Sequence, residues 1–450
     1  MDARRESRFI GRARRPRRIV KELFLAARAL IDGKETDNVG ILVDGERIVG
    51  VGEGSSLAVE ASREGVKTRR FPNDRLLVPG FVNGHSHAYQ ILLRGWADDW
   101  SFEKWRSDAL YRVVPQLTPD DIYWVFVTAF CEMLSAGITT VAEFFYLNGN
   151  GNAHAEAAIR AARDTGIRLI FARTWMDAQY APAAYRESID DASERTIELQ
   201  ERFPDANICV APHSLHAASP EMIEAAALFA REHDCMLHVH VAEASYEGRE
   251  TLKKHGCSPI RLLDRLGALN ERCVAVHAIY LDEEEKDLLA SRGARVIHNP
   301  MTNQYLGDGI CDVVGLAARG ISMGLGTDAD VKPSLIDEMR SAALLQKVAR
   351  TDGSIFGAAA AFAMGTGHGA QALRIDSGRL VVGAYADFVI INAAKIDSWS
   401  PALNALIYRG EDAWVQGTFV GGRRVATADP SPLALSARSQ LAQIAQRVLP

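Results

Sequence analysis

The sequence predicts an α/β protein, a (β/α)8 TIM barrel carrying a small β-sandwich domain formed by both termini. Three observations lead there. Short apolar runs alternate with longer helical stretches through the middle of the chain, β-rich texture marks both ends, and histidines and acids recur where the apolar runs stop. Size agrees, since 450 residues exceed one small domain but suit a large barrel with an accessory unit. Apolar residues at 48% and charged residues at 24% give the composition of an ordinary globular protein. The longest apolar stretches, such as Ala358 to Met364, fall far short of the roughly 18 residues that cross a bilayer, so no membrane partner is expected.

The chain opens on arginines. Arg4, Arg5, Arg8, Arg12, Arg14, Arg15, Arg17 and Arg18 repel one another, which predicts a disordered basic arm over residues 1–18. Elsewhere a net charge of -6 with mixed signs offers no basic stripe for nucleic acid. No apolar segment with a small-residue cleavage site follows the arm. The six cysteines, Cys131, Cys209, Cys235, Cys257, Cys273 and Cys311, are scattered without a C-x-x-C pair and read as reduced thiols. The expectation is a cytoplasmic enzyme acting on a small molecule.

From Ile19 the chain takes on β texture, and the run from Val39 to Val51 is broken by Asp44-Gly45, a hairpin signature. The barrel is expected over 79–374. Its strands show as Ile167 to Ala172, Ile208 to Ala211, Met236 to Val241, Val274 to Ala278 and Arg295 to His298. About eight such strands in roughly 300 residues suit a closed parallel barrel better than an open doubly wound sheet, which would more often carry a glycine-rich phosphate loop. After Ile375 the β texture returns, in Gly378 to Ile391 and Val415 to Val425. A β-sandwich from 19–78 and 375–430 follows, with a helical tail over 431–450.

The chemistry gathers at the strand ends. His85-Ser86-His87 follows an apolar run at what should be the C-terminal end of the first barrel strand, where barrel enzymes build their sites. Alternate strand residues share a face, so both imidazoles can reach one ion. Three further strand ends carry His238 and His240 with Glu243, then His277, then Asp328. Neutral imidazoles and a carboxylate are the donors that one divalent ion accepts, zinc first, with iron or manganese also suited. The expected ligands are His85, His87, His240 and Asp328.

These blocks resemble the amidohydrolase superfamily. The likeness is carried by Asn83-Gly-His-Ser-His-Ala-Tyr-Gln90, Ala136-Gly-Ile-Thr-Thr-Val141, His238 to Glu243, Val276-His277, His298-Asn-Pro300 and Gly324 to Asp328, and it runs from Val78 to Ile391. In order and spacing they are similar to the mononuclear hydrolytic deaminase branch, and no motif for a carboxylated bridging lysine is evident. The resemblance implies hydrolysis of a carbon–nitrogen bond at an amidine-type carbon with release of ammonia. It further implies Glu243 as general acid, Asp328 as the group that passes a proton to ammonia, His277 beside it, and an oligomer such as a dimer.

Within the branch, His87 to Gln90, Trp100 to Arg106, Val141 to Tyr146 and Ala211 to Leu215 most resemble formimidoylglutamate deiminases. That likeness places Gln90, Arg106, Tyr146 and His213 around the substrate, with His216 where the family has a second arginine. Arginine suits a carboxylate because its planar fork pairs with both oxygens. Two other blocks, Leu92 to Asp99 and His298 to Asn303, look more like deaminases or chlorohydrolases of purines, pterins and triazines, which is the alternative reading. Arg94 and Arg106 could equally form rim salt bridges, and Trp96, Trp100 and Trp105 could pack a loop or wall a pocket.

Overall fold

The computed structural model describes residues 21–449; the expected basic arm of residues 1–18 lies outside them. In chain order the strands are β1 (Glu22–Ile31), β2 (Lys34–Asp44), β3 (Arg47–Glu53), β4 (Lys67–Arg70), β5 (Arg75–Pro79), β6 (Phe81–Ser86), β7 (Ile138–Phe145), β8 (Arg168–Trp175), β9 (Asn207–Pro212), β10 (Leu237–Val241), β11 (Cys273–His277), β12 (Arg295–His298), β13 (Met323–Leu325), β14 (Phe388–Asn392), β15 (Val415–Val420) and β16 (Arg423–Thr427).

Strands β6 to β13 run parallel in sequence order and close on themselves, β13 beside β6. All eight residues of β7 are buried, as expected where helices cover one face of a parallel sheet and barrel core fills the other. Polar caps start the covering helices. Thr118 and Asp121 form a capping box at Pro119–Ser135, and Ser219 accepts the Met222 N–H at the start of Pro220–Glu232. The C-terminal helix Pro432–Val448 lies against Pro119–Ser135, where Arg447 pairs with Asp121.

The remaining strands form one mixed sheet of order β16-β15-β14-β5-β1-β2-β3, with β4 also paired to β1. Gly45, at φ 65°, makes the tight turn between β2 and β3 that Asp44-Gly45 announces. The two ends of the chain meet where β14 runs antiparallel to β5, Phe388 opposite Pro79. Phe24, Phe388 and Phe419 interlock there with centroids 4.6 to 5.7 Å apart, which gives the small sandwich domain its own core. Among the described residues no helix is long and apolar enough to cross a membrane, and the six cysteines are free.

The seam between the first and last barrel strands is thin. One residue pair, Leu325 and Asn83, makes up its ladder. Just beyond it the His85 carbonyl accepts the N–H groups of Thr327 and Asp328, the His87 N–H donates to the Asp328 carbonyl, and side chains add to the join. Asn83 donates to Thr327 Oγ1 at 2.7 Å and accepts the Thr327 N–H at 3.0 Å, while Thr327 Oγ1 donates to Asp330 at 2.5 Å. Gly326 is required by this close approach: a Cβ there would sit 2.4 Å from Asn299 Oδ1 and 2.8 Å from the His85 carbonyl oxygen.

Candidate active site

His85 and His87 project from the end of β6 into the barrel mouth. His85 Nε2 lies 3.2 Å from both His240 Nε2 and Asp328 Oδ1. His87 Nε2 is 3.2 Å from His240 Nε2 and 3.4 Å from Asp328 Oδ1. The four residues expected as ligands thus come together. His277 joins them: donor atoms of His85, His240, His277 and Asp328 all lie within 4.8 Å of one another. The sequence reading of His277 as a partner of Asp328 therefore understates its position, which is among the possible ligands. His87 falls outside that mutual set despite its short distances to His240 and Asp328.

The tautomers show what such a cluster requires. His87 Nδ1 lies 2.8 Å from the Phe144 carbonyl and His240 Nδ1 2.9 Å from that of His213. A carbonyl only accepts, so both Nδ1 atoms carry the proton, and in the neutral rings both Nε2 atoms present lone pairs. Adding a proton is unfavourable, because burial lowers His87 to about 3 and pushes His240 well below its ordinary value. Two lone pairs facing at 3.2 Å repel unless a cation lies between them. The spacing suits zinc, since tetrahedral bonds of about 2.0 to 2.1 Å place ligand atoms about 3.3 to 3.4 Å apart. Burial raises Asp328, but the His85 hydrogen bond and the neighbouring imidazoles outweigh it and hold the carboxylate well below the usual range. Three imidazoles with a carboxylate are the donor set of a mononuclear site for such an ion.

Bends at the strand ends aim these groups. Ala242, His277, Ala278 and Asp328 all adopt left-handed backbone, with φ of 54°, 74°, 49° and 51°. Such conformations cost of order 1 to 3 kcal/mol each and gather where function demands a direction the strand cannot supply. At Ala242 the turn brings Glu243 back over the mouth, its Oε1 3.5 Å from His277 Nε2. Glu247 holds that turn, its carboxylate accepting the N–H groups of Ala242, Glu243 and Ala244. Burial, followed by repulsion from Glu247 and Asp328, raises the Glu243 pKa well above its ordinary value and so favours its acid form.

Beneath the ligands, Ser86 Oγ lies 2.9 Å from Glu143 Oε2 and 2.6 Å from Asp330 Oδ2. One hydroxyl proton cannot serve two carboxylates, so one acid is protonated and donates to Ser86. Burial drives both in that direction, raising Asp330 to about 7 and Glu143 well above its ordinary value. The sequence reading passed over Ser86, Glu143, Asp330 and Glu247.

All five expected substrate residues, Gln90, Arg106, Tyr146, His213 and His216, line the same pocket as His87, His240, Glu243, His277 and Asp328. Gln90 donates to the Tyr146 hydroxyl at 3.0 Å. Burial and the charges nearby hold His213 well below its ordinary pKa, and His216 is lowered to about 4 by burial and then by Arg106. Arg106 lies 5.7 Å from the Phe102 ring and 5.6 Å from that of Tyr180, without a carboxylate partner among the described residues. Arg94, by contrast, is a rim ion pair, 2.8 Å from Glu132. Trp96 packs on Trp100 while Trp105 faces the pocket, so the tryptophans divide between the two roles. Phe102, Tyr111, Tyr180, Thr302 and Leu306 also line the wall; all but Tyr180 sit on helical segments of three to seven residues, too short for a periodicity that would mark the facing side chain.

Comparison with known proteins fits this geometry. The 5'-deoxyadenosine deaminase of Methanothermobacter thermautotrophicus is 32% identical over 409 residues, covering 86% of this chain and 93% of the relative. A 5-methylthioadenosine/S-adenosylhomocysteine deaminase of Halothermothrix orenii is 31% identical over 358 residues, 78% of this chain and 80% of that one. The crystal structure of a zinc-bound adenosine deaminase from Xanthomonas campestris superposes with a TM-score of 0.86 at 26% identity, covering 95% of this chain and 99% of the other. The narrower likeness to formimidoylglutamate deiminases finds no echo in these relatives. The protein is a metal-site-bearing hydrolase of carbon–nitrogen bonds, and with residues 76–425 matching the amidohydrolase family, the chain belongs to that family.

Proposed function

We propose that the protein is a hydrolytic deaminase of an amino-substituted heterocycle, of the adenine type carried by nucleosides. This corrects the first reading, a formimino amino acid, in favour of the alternative drawn from Leu92 to Asp99 and His298 to Asn303. The observation that carries it is one pocket in which His87, His240, His277 and Asp328 of the cluster, the Glu243 acid and an aromatic wall of Phe102, Trp105, Tyr111, Tyr146 and Tyr180 meet, with His85 buried behind them. Flat rings stack on such a wall. The relatives named for 5'-deoxyadenosine and 5-methylthioadenosine support the same substrate class.

His85, His87, His240, His277 and Asp328 would hold the ion, which when bound supplies Lewis acidity that brings the pKa of water from about 15.7 towards about 7. Glu243 donates its proton to the ring nitrogen beside the amino-bearing carbon, making that carbon electrophilic. Asp328 accepts a proton from the attacking water and passes it to the amino group. The carbon–nitrogen bond then breaks, ammonia leaves, and the remaining hydroxyl proton returns to Glu243 as the ring gains its carbonyl. Proton transfers of this kind are worth about 10²- to 10⁴-fold each. Gln90, Tyr146, His213 and His216 orient the ring, the two imidazoles acting as neutral hydrogen-bonding groups.

Arg106 favours a second reading, since an unpaired guanidinium in the pocket suits a substrate with a carboxylate, as N-formimino-L-glutamate has. Against it, neutral His216 stands where a second arginine would complete the clamp. Ammonia release from zinc-replete protein separates the two. Turnover is expected with 5'-deoxyadenosine, 5-methylthioadenosine or adenosine; release from N-formimino-L-glutamate alone would reverse the assignment.

A further inference from the structure

The imidazoles of the cluster differ in what holds their outer nitrogens. Nδ1 of His87 and of His240 each lies against a main-chain carbonyl, 2.8 and 2.9 Å away. No substitution removes such an acceptor. Nδ1 of His277 instead faces two side-chain amides, Asn303 Oδ1 at 3.1 Å and Asn299 Nδ2 at 3.4 Å. The two amides favour opposite tautomers. Against an oxygen, Nδ1 carries the proton and Nε2 keeps a lone pair; against an N–H donor, Nδ1 accepts and the proton moves to Nε2.

Two observations favour Asn303. The first is distance, since 3.1 Å is an ordinary N–H···O length whereas 3.4 Å lies beyond the usual range of about 2.7 to 3.2 Å. The second is the cluster itself. His277 belongs to the set of possible ligand atoms, with Nε2 3.8 Å from Asp328 Oδ2. An imidazole binds a cation through a lone pair, so a proton on Nε2 would remove His277 from that set. Asn303 is also well fixed. It is buried on the helix Pro300–Leu306, its main-chain N–H donates to the Asn299 carbonyl at 2.9 Å, and its carbonyl accepts the Asp308 N–H at 2.9 Å. It does not line the substrate pocket, so its influence on the site passes through His277.

We propose that Asn303 is a positioning residue of the metal centre, whose side-chain oxygen fixes the His277 tautomer with its Nε2 lone pair turned to the ion. This deepens the deaminase reading and rests on it for the use to which the ion is put. Outer partners of this kind set both the orientation and the basicity of a ligand imidazole.

Nitrogen NMR of zinc-loaded protein carrying isotope-labelled histidine reads the tautomer directly, with the His277 signals identified by their loss in His277→Gln. The proton is expected on Nδ1. Asn303→Leu keeps a branched side chain without an acceptor, and Asn303→Asp retains one. Zinc affinity, measured by competition with a chelator, is expected to fall by about 10- to 100-fold in Asn303→Leu and to stay within about threefold of the parent in Asn303→Asp. At saturating zinc, kcat should fall in the leucine variant while KM stays unaltered in both. A proton on Nε2 in the parent would overturn the proposal, and that measurement needs no variant to fold. Parent-like zinc affinity in Asn303→Leu, or equal loss in both variants, would also overturn it. Neither the tautomer nor the zinc affinity involves a substrate, so failure of the substrate assignment and failure of this inference are read separately.

Discussion

Glu243 shows how one side chain acquires its task from its surroundings. Its position three residues past His240 is readable in the sequence, but its direction comes from the left-handed turn at Ala242 and the three N–H bonds gathered by Glu247. Burial and two neighbouring carboxylates favour its acid form. Glu243→Gln keeps the shape and removes the transferable proton. Metal content is expected to remain one ion per chain, while kcat falls by about 10²-fold or more. Elemental analysis beside steady-state kinetics checks both halves, and unchanged turnover would remove Glu243 from the chemistry. Arg106 illustrates the opposite case. It lies near aromatic rings rather than against an acid, on the helical segment Trp105–Leu110, and neither position is readable from the sequence.

At the scale of elements, the short helix Val313–Ala318 depends on a single carboxylate. Asp312 accepts the Gly315 N–H at 3.0 Å, receives Lys286 at 2.6 Å and also binds Arg350. Burial raises its pKa, but these three donors outweigh that and hold it at about 2, against about 3.9 in an unfolded chain. A depressed carboxylate contributes stability that is complete above its unfolded value and disappears as pH falls through its folded one. Asp312→Asn should therefore lower the melting temperature at neutral pH, with the gap to the parent closing between about pH 4 and about pH 2. A pH series of thermal denaturation checks this; a gap independent of pH would show that the charge is immaterial. Strands and hairpins were legible because alternation and Asp44-Gly45 are local signals. The parallel pairing of β1 with β4 and β5 was not, because it joins backbone segments more than 30 residues apart in sequence.

For the whole molecule, the convergence of His85, His87, His240 and Asp328 was legible because a barrel brings every strand end to one rim, whatever the distance along the chain. The carbonyl partners that fix the His87 and His240 tautomers, and the place of His277 among the donor atoms, required coordinates. This arrangement predicts that the ion stabilises the fold as well as the reaction. Facing lone pairs oppose the closed mouth in the metal-free protein, and a ligand at a hundred times its Kd adds about 2.7 kcal/mol. Dialysis against a chelator should lower the melting temperature and abolish turnover, with zinc restoring both. An unchanged melting temperature would mean that the cluster is held by something other than a cation. The thin seam between β6 and β13 carries one more implication. The imidazoles at 85 and 87 are made early in synthesis, whereas Asp328 arrives about 240 residues later at the strand that shuts the ring. A nascent polypeptide therefore cannot assemble this centre before the last stave is in place, and catalytic competence becomes a report that the circle has been completed.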